Sequence, residues 1–367
     1  MNPRKPDFIL CIPLVCLITL GLVMVRSASG FQSLALYKDP NAIFTKQLVA
    51  LIVGLFGLLV LAKIPHDFYR RPAILYFAVI VVIGLLIGVK FQPVANGAQR
   101  WYYIGSFGFQ PSDLAKVVLI IFTAAFSARV KGPQGPAFPW TQRLVPIIGL
   151  LTVFSILILW QPDFGTTVIL IFIVGVMLFL GGLPFRFLAL GGLLLLPLVI
   201  GLVVTEGYRM KRILDFSDKK EHYQITQSKI ALGAGGLTGV GLGEGKQKLH
   251  YLPEAHTDFI FATIGEELGF IGSSFVLLMY LWFFSRGFVV MSRVESGYSQ
   301  LLGMGLLVLL LTQALINISV TLDLFPNKGL TLPFLSAGGT SLMICLACCG
   351  ILLNISRYQV GDNRMAT

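Results

Sequence analysis

The chain has 367 residues, 56% of them hydrophobic and 12% charged, with a mean hydropathy of +0.82. Soluble proteins carry about 25% charged residues. Half that value, with repeated apolar runs of about 18 residues or more, excludes a soluble domain and points to a polytopic helical membrane protein. The formal net charge of +11 calls for no nucleic acid, because Lys and Arg gather in the cytoplasmic loops of membrane proteins.

Cys11, Cys16, Cys345, Cys348 and Cys349 all lie in apolar runs. They read as small core residues, not as a disulfide frame or a zinc site. No HExxH is present. Residues 239–246 superficially suggest a phosphate-binding loop, but Val240 stands where the first Gly is required and Gln247 follows Lys246. No strand precedes them, which argues against nucleotide binding.

Residues 8–25 form an apolar run after Arg4 and Lys5. The run exceeds the usual core of about 7–15 residues in a signal peptide, so it is expected to be an uncleaved first span with the N-terminus in the cytoplasm. Spans two and three are expected at 44–62 and 74–89, joined by a basic inner turn with Lys63, Arg70 and Arg71. The outer loop that follows carries Trp101, Tyr102 and Tyr103, which suit an interfacial aromatic belt. Arg100 beside them is not explained by a belt.

The fourth span begins at Pro111, with Ser112 or Asp113 expected as its cap. Lys116 lies about one turn inside. It either snorkels outward or faces a cavity and binds an anion. Arg129, Lys131 and Arg143 place the next loop inside. The fifth span, 144–159, ends at a sharp outer turn holding Asp163, and the sixth starts at once. A carboxylate is stabilised beside a helix N-terminus, so position alone favours a capping role for Asp163 over catalysis. Arg186 marks the inner turn before span seven, 187–204.

Residues 205–257 are the longest polar stretch and carry eight Lys or Arg side chains, including Arg209, Arg212 and Lys246. A structureless loop this long is uncommon, so short interfacial helices are expected. Its basic residues face outside against the usual bias, and anionic headgroups or phosphates are their natural partners. The densest part, 246–270, holds Lys246, Lys248, His250, Glu254, His256, Asp258, Glu266 and Glu267 and runs straight into an apolar segment. Titratable groups where water meets lipid are costly and are functional candidates. The plainer reading is a solvated loop ahead of a helix. Spans eight to ten are expected at 259–284, 301–322 and 341–355. Arg286 and Arg293 lie inside, as do Arg357 and Arg364. The expected fold is an all-α integral membrane protein of ten transmembrane helices, one polytopic domain over 1–367. A large extracytoplasmic loop, 205–257, separates helices 7 and 8.

Six ordered motifs resemble one family. They are Gly97-Ala-Gln-Arg-Trp101, Gln110-Pro-Ser-Asp-Leu-Ala-Lys116, Gln161-Pro-Asp-Phe-Gly-Thr166, Tyr223-Gln-Ile-Thr-Gln-Ser228, Leu252-Pro-Glu-Ala-His-Thr-Asp-Phe-Ile-Phe261 and Pro326-Asn-Lys-Gly-Leu-Thr-Leu-Pro333. Together they resemble the SEDS family of shape, elongation, division and sporulation proteins (FtsW/RodA-like) over nearly the whole chain. The last motif is nearer the division branch; the elongation branch usually has a Pro-Val-Thr-Gly type sequence there. Ser336-Ala-Gly-Gly-Thr340 departs from the family's usual Ser-Tyr-Gly-Gly-Ser and lacks its aromatic ring.

The resemblance implies a peptidoglycan glycosyltransferase of the bacterial cytoplasmic (inner) membrane. Such an enzyme polymerises lipid II into undecaprenyl-pyrophosphate-linked glycan. It works beside a class B penicillin-binding protein and other division proteins. The chemistry needs a base within reach of the acceptor hydroxyl. Asp258 sits at the polar-to-apolar switch and matches the family's functional Asp. The leaving pyrophosphate needs cations or a divalent metal, Mg or Mn. Lys116 and Arg100 come first for this role, then Arg209, Arg212 and Lys246. Asp163 and Glu254 are secondary, for a metal or for orienting a cation. His256 belongs to the substrate-binding set, and Gln227 is placed to hydrogen-bond sugar. A flippase for lipid-linked precursors is the alternative, since intramembrane Lys or Asp also suits a transporter. Against it, the candidate groups gather on one side and no inverted repeat is evident. A non-catalytic division scaffold would leave the outer motifs without a task.

Overall fold

The computed structural model describes residues 5–94, 98–104, 107–128, 140–204, 223–249, 251–326 and 328–359. All ten apolar stretches form helices: α1 (Cys11–Tyr37), α2 (Ala42–Lys63), α3 (Pro72–Gly88), α4 (Pro111–Ser127), α5 (Trp140–Trp160), α6 (Phe164–Leu180), α7 (Phe185–Val204), α9 (Ile260–Ser292), α10 (Gly297–Thr321) and α11 (Gly339–Ile355). A further helix, α8 (Tyr223–Gly235), lies inside the expected long loop. Seven of the helices among the described residues are long and apolar enough to cross a membrane by length and composition. Large side chains such as Phe56, Phe77 and Ile80 point outward, as lipid-facing positions should.

Local chemistry sets the helix ends. Pro72 and Pro111 open α3 and α4, where the missing N–H costs nothing. Neither Ser112 nor Asp113 caps α4; Gln110 holds that position without a side-chain bond. Asp113 instead reaches Lys116, one turn on, at 2.6 Å. The expected aromatic belt is partly a hairpin. β1 (Tyr102–Ile104) pairs antiparallel with β2 (Phe107–Phe109), with Tyr102 opposite Phe109. Aromatic and β-branched residues favour a pleated surface. The Tyr102 hydroxyl donates to the Leu85 carbonyl at 3.0 Å, which pins the hairpin to α3.

Two apolar cores fill the bundle. One unites α1, α9, α10 and α11; the other unites α3, α4, α5 and α6. The central helix α10 contacts α4, α6, α9 and α11. α2 and α11 pack closely because small residues let backbones approach. A Cβ on Gly350 would meet the Leu58 carbonyl oxygen at 2.5 Å. At the end that carries Arg286, Asp7 pairs with that arginine and takes the Ser356 hydroxyl oxygen with its N–H.

α9 is broken at Gly269, whose φ is 67° and ψ −162°, a region essentially confined to glycine. Broken backbone bonds at membrane depth must be re-satisfied by protein. Here α8 and the glycine-rich segment after it do so. The N–H groups of Val240 and Gly241 donate to the carbonyls of Glu266 and Glu267. Beyond the break, Phe270 and Ile271 donate to the carbonyls of Gly236 and Leu237. The Glu266 carboxylate accepts from the N–H groups of Lys246 and Gln247. The Glu267 carboxylate accepts from Gly243 N–H, the Ser27 hydroxyl and the Lys248 amine, the last at 2.7 Å. Lys248, Glu266 and Glu267 therefore staple this segment to α9. They are structural, not the reactive groups their density in the sequence suggests.

Candidate active site

The helix starts α4, α6 and α9 and the helix end of α10 share one end of the bundle, opposite Asp7 and Arg286. Two groups of charged side chains sit there.

The first group surrounds Asp258, in the loop ahead of α9. Glu254 adopts a left-handed φ of 55°. Its carbonyl accepts from the N–H groups of Thr257 and Phe259 at 3.1 Å, which closes a tight turn. Its carboxylate takes the Thr257 hydroxyl at 2.7 Å. Asp258 does not cap α9: Phe259 holds the cap position. Its side chain is left for other work. Buried Asn317 of α10 donates to the Asp258 carbonyl at 2.8 Å and to the Leu330 carbonyl at 2.6 Å, tying two loops together. Ser336 and Ala337 bind the carbonyls of Thr257 and His256. Gln47 in turn holds the Ser336 carbonyl and the Gly338 N–H. Burial, helped by the Glu254 charge, pushes the Asp258 carboxyl up to about 7. That is near the operating range of a general base.

The second group comprises Arg100, Asp113, Lys116, Asp163 and Lys328. Asp163 caps α6, accepting from Thr166 N–H at 3.2 Å and from the Thr166 hydroxyl at 2.7 Å. The capping reading is correct, and the same carboxylate also faces Lys328 and Arg100. Burial alone would raise its pKa; those two cations and the Thr166 bonds lower it overall. Arg100 donates to the carbonyls of Gln161 and Pro162 and so fixes the turn that carries Asp163. Lys116 does not snorkel. It is 2% exposed and paired with Asp113. It lines a small cavity of about 10 Å³, room for little more than a water, with Gln313, Ser341, Cys345 and Cys348.

Lys328 was not among the sequence candidates. Its amine is buried and has no hydrogen-bond partner among the described residues. Burial, with Lys116 and Arg100 nearby, lowers it to about 8 against the opposing pull of Asp163. The signal was present: Lys328 is the sole charged residue between 324 and 356. Gly329, next in the chain, lies against the Asp258 carboxylate, so the segment from Lys328 to Leu330 joins the two groups.

The other candidates are placed differently. His256 is buried; burial lowers its pKa although Glu254 opposes this. Lys246 has its N–H on Glu266 and an exposed side chain. Gln227 lies half-buried on α8, whose Ser228 and Lys229 bind Thr321 and Asp323. Arg209, Arg212 and His250 lie outside the described residues. Among the described residues no three His, Cys, Asp or Glu side chains gather into a metal cluster. Asp163, faced by two cations, does not fit a metal. Glu254 offers hard oxygen donors that suit Mg or Mn, but only if substrate phosphates complete the shell.

Residues 8–361 match the cell cycle protein family of FtsW, RodA and SpoVE. The chain is 39% identical to a probable peptidoglycan glycosyltransferase FtsW of Trichlorobacter lovleyi, over 96% of this chain and 95% of that protein. It is 35% identical to the stage V sporulation protein E of Bacillus subtilis, over 98% and 100%. Its fold matches a chain of a peptidoglycan synthase complex with a TM-score of 0.77 and 28% identity, covering 97% and 99%. It also matches the rod shape determining protein RodA of Thermus thermophilus, with a TM-score of 0.70 and 26% identity, covering 97% and 98%. The ordered motifs, the membrane-helix bundle and these matches agree: the chain belongs to the FtsW/RodA/SpoVE family of cell cycle proteins.

Proposed function

We propose that the chain is a peptidoglycan glycosyltransferase that polymerises lipid II at the outer face of the cytoplasmic membrane. The observation that carries this reading is Asp258, a carboxylate with its pKa near 7, held one residue from Lys328 through Gly329. The acceptor sugar hydroxyl attacks the anomeric carbon of the donor. A new C–O bond forms, the C–O bond to undecaprenyl pyrophosphate breaks, and the hydroxyl proton passes to Asp258. The departing pyrophosphate keeps the bonding electrons and meets the cationic side, where Arg100 and Lys116 stand. Mg or Mn, when bound, would neutralise further phosphate charge. Glu254 is the residue that would hold it, together with substrate oxygens.

The topology that suits this chemistry has ten spans, both termini inside and residues 205–257 outside, as the Lys and Arg placement favours. A class B penicillin-binding protein is the proposed partner at the outer ends of the bundle, with other division proteins beyond it. The relative in a peptidoglycan synthase complex supports this reading. A flippase would need groups along a path across the bundle, whereas Asp258 and Lys328 share one end. The test is purified protein with lipid II and a divalent metal, with and without the partner. Long glycan strands on a gel are expected. Their absence in both conditions sinks the assignment.

A further inference from the structure

Lys328 is the outlier of the charged end. Lys116 has Asp113 at 2.6 Å, and Arg100 has two carbonyls. The Lys328 amine is buried with no hydrogen-bond partner among the described residues. An ammonium removed from water without a partner is costly. A ligand that arrives with negative charge would remove that cost.

The surroundings narrow the ligand. The Lys328 side chain lies across Gly165, in the first turn of α6: a Cβ there would stand 2.5 Å from its Nζ. The start of a 17-residue helix favours anions. Asp163 does not fill the place. Its two carboxylate oxygens are committed to the N–H and hydroxyl of Thr166. Three cations, Arg100, Lys116 and Lys328, face two carboxylates, Asp113 and Asp163, leaving one positive charge in excess. A carboxylate ligand would bring one negative charge and two oxygens. A phosphoryl group brings more charge and three oxygens, enough to take Lys328 and the open donors of Arg100 at once.

We propose that the Lys328 amine, lying over Gly165 at the start of α6, is a binding subsite for one phosphoryl group of a polyprenyl pyrophosphate. This deepens the glycosyltransferase reading and rests on it for the natural ligand. Gly165 is part of the device, since any side chain there displaces the lysine. Lys328 and Gly329 are consecutive, so phosphate held by one is registered against the base that touches the other.

The probe is geranyl pyrophosphate, titrated calorimetrically into the purified full-length protein in detergent at pH 7. Geraniol serves as the uncharged control. Lys328→Ala and Gly165→Ala are each expected to weaken geranyl pyrophosphate binding at least tenfold and to leave geraniol unaffected. In Lys328→Ala, adding Gly165→Ala should cost less than a further twofold, because the two changes remove one contact. Lys328→Gln, closer in length, stands in if the alanine variant does not fold. Binding by a folded Lys328 variant within twofold of wild type overturns the subsite. Equal loss of geraniol binding does so too, since that would mark a collapsed groove. The two readings fail separately. Lys328-dependent binding without glycan synthesis from lipid II would keep the subsite and sink the enzyme assignment. Glycan synthesis with Lys328-independent binding would do the reverse.

Discussion

Gly329 lies against the carboxylate of Asp258: a Cβ built on it would stand 2.6 Å from Oδ2. Its φ is not in the left-handed region, so alanine is tolerated by the backbone and the strain falls on Asp258. A shift of about 1 Å at a reacting group costs on the order of 10²-fold in rate. Gly329→Ala is therefore expected to lower glycan synthesis about 10- to 100-fold, with lipid II binding and the thermal midpoint nearly unchanged. Turnover within twofold of wild type would show that the carboxylate position does not matter.

The pH profile follows from two groups. Asp258 accepts a proton only when ionised, so kcat/KM rises as pH climbs through about 7. Lys328 holds an anion only when protonated, so kcat/KM falls as pH passes about 8. A narrow bell is expected, since kcat/KM reports the free enzyme's essential acid and base. Lys328→Ala should erase the alkaline limb and keep the acid one. Glu254→Gln should move the acid limb to lower pH, because the Glu254 charge helps to raise Asp258. An alkaline limb that stays in place without Lys328 assigns it to another group.

The ten apolar stretches were legible because hydropathy alone marks a helix bound for lipid. The Asp163 cap was legible because a cap is a short-range event. Lys328 showed only as a lone charge in an apolar stretch, because its importance comes from Gly165 and Asp163 at the start of another helix. Glu266 and Glu267 misled for the same reason. The partners of Glu267 (Ser27, Gly243 and Lys248) and of Glu266 (Lys246 and Gln247) lie in two other segments, and only the fold shows those carboxylates already satisfied. The hairpin at Tyr102–Ile104 was hidden behind an aromatic cluster that an interfacial belt explains equally well.

The break in α9 gives a stability prediction. Glu267 is fully buried and pairs with Lys248. Breaking a buried pair costs about 3–5 kcal/mol, so Glu267→Gln should lower the thermal midpoint of purified protein by several degrees. Gly269→Ala should be worse. It forces a non-glycine residue to φ 67° and sets its Cβ 2.6 Å from the Leu237 carbonyl oxygen. Little folded protein is expected on size exclusion. Gly175→Ala in α6, with nothing within 4 Å of the new methyl, is the neutral control. A Gly269→Ala protein as stable as that control would mean the break is not required.

The last prediction concerns Asp258 itself. The side chain sits one residue before Phe259, at the point where the chain enters the apolar bundle. Undecaprenyl chains hold both donor and acceptor in the bilayer, so their pyrophosphates and first sugars meet at this depth. A general base contributes about 10²–10⁴-fold, so Asp258→Asn should nearly abolish polymerisation. The loop should survive the change. Asn317 holds Asp258 through its main-chain carbonyl, which the substitution keeps. Removing the charge beside Glu254 also relieves a repulsion, so the thermal midpoint should hold or rise slightly. Lipid II binding should change little, since the proposed phosphate contacts lie on Arg100, Lys116 and Lys328. A capping role would give another pattern, costing about 1 kcal/mol of stability and leaving turnover intact. Cap and base are thus separated by two measurements on one variant. Turnover within a few-fold of wild type at equal folded protein would remove Asp258 from the chemistry and turn attention to the flippase reading.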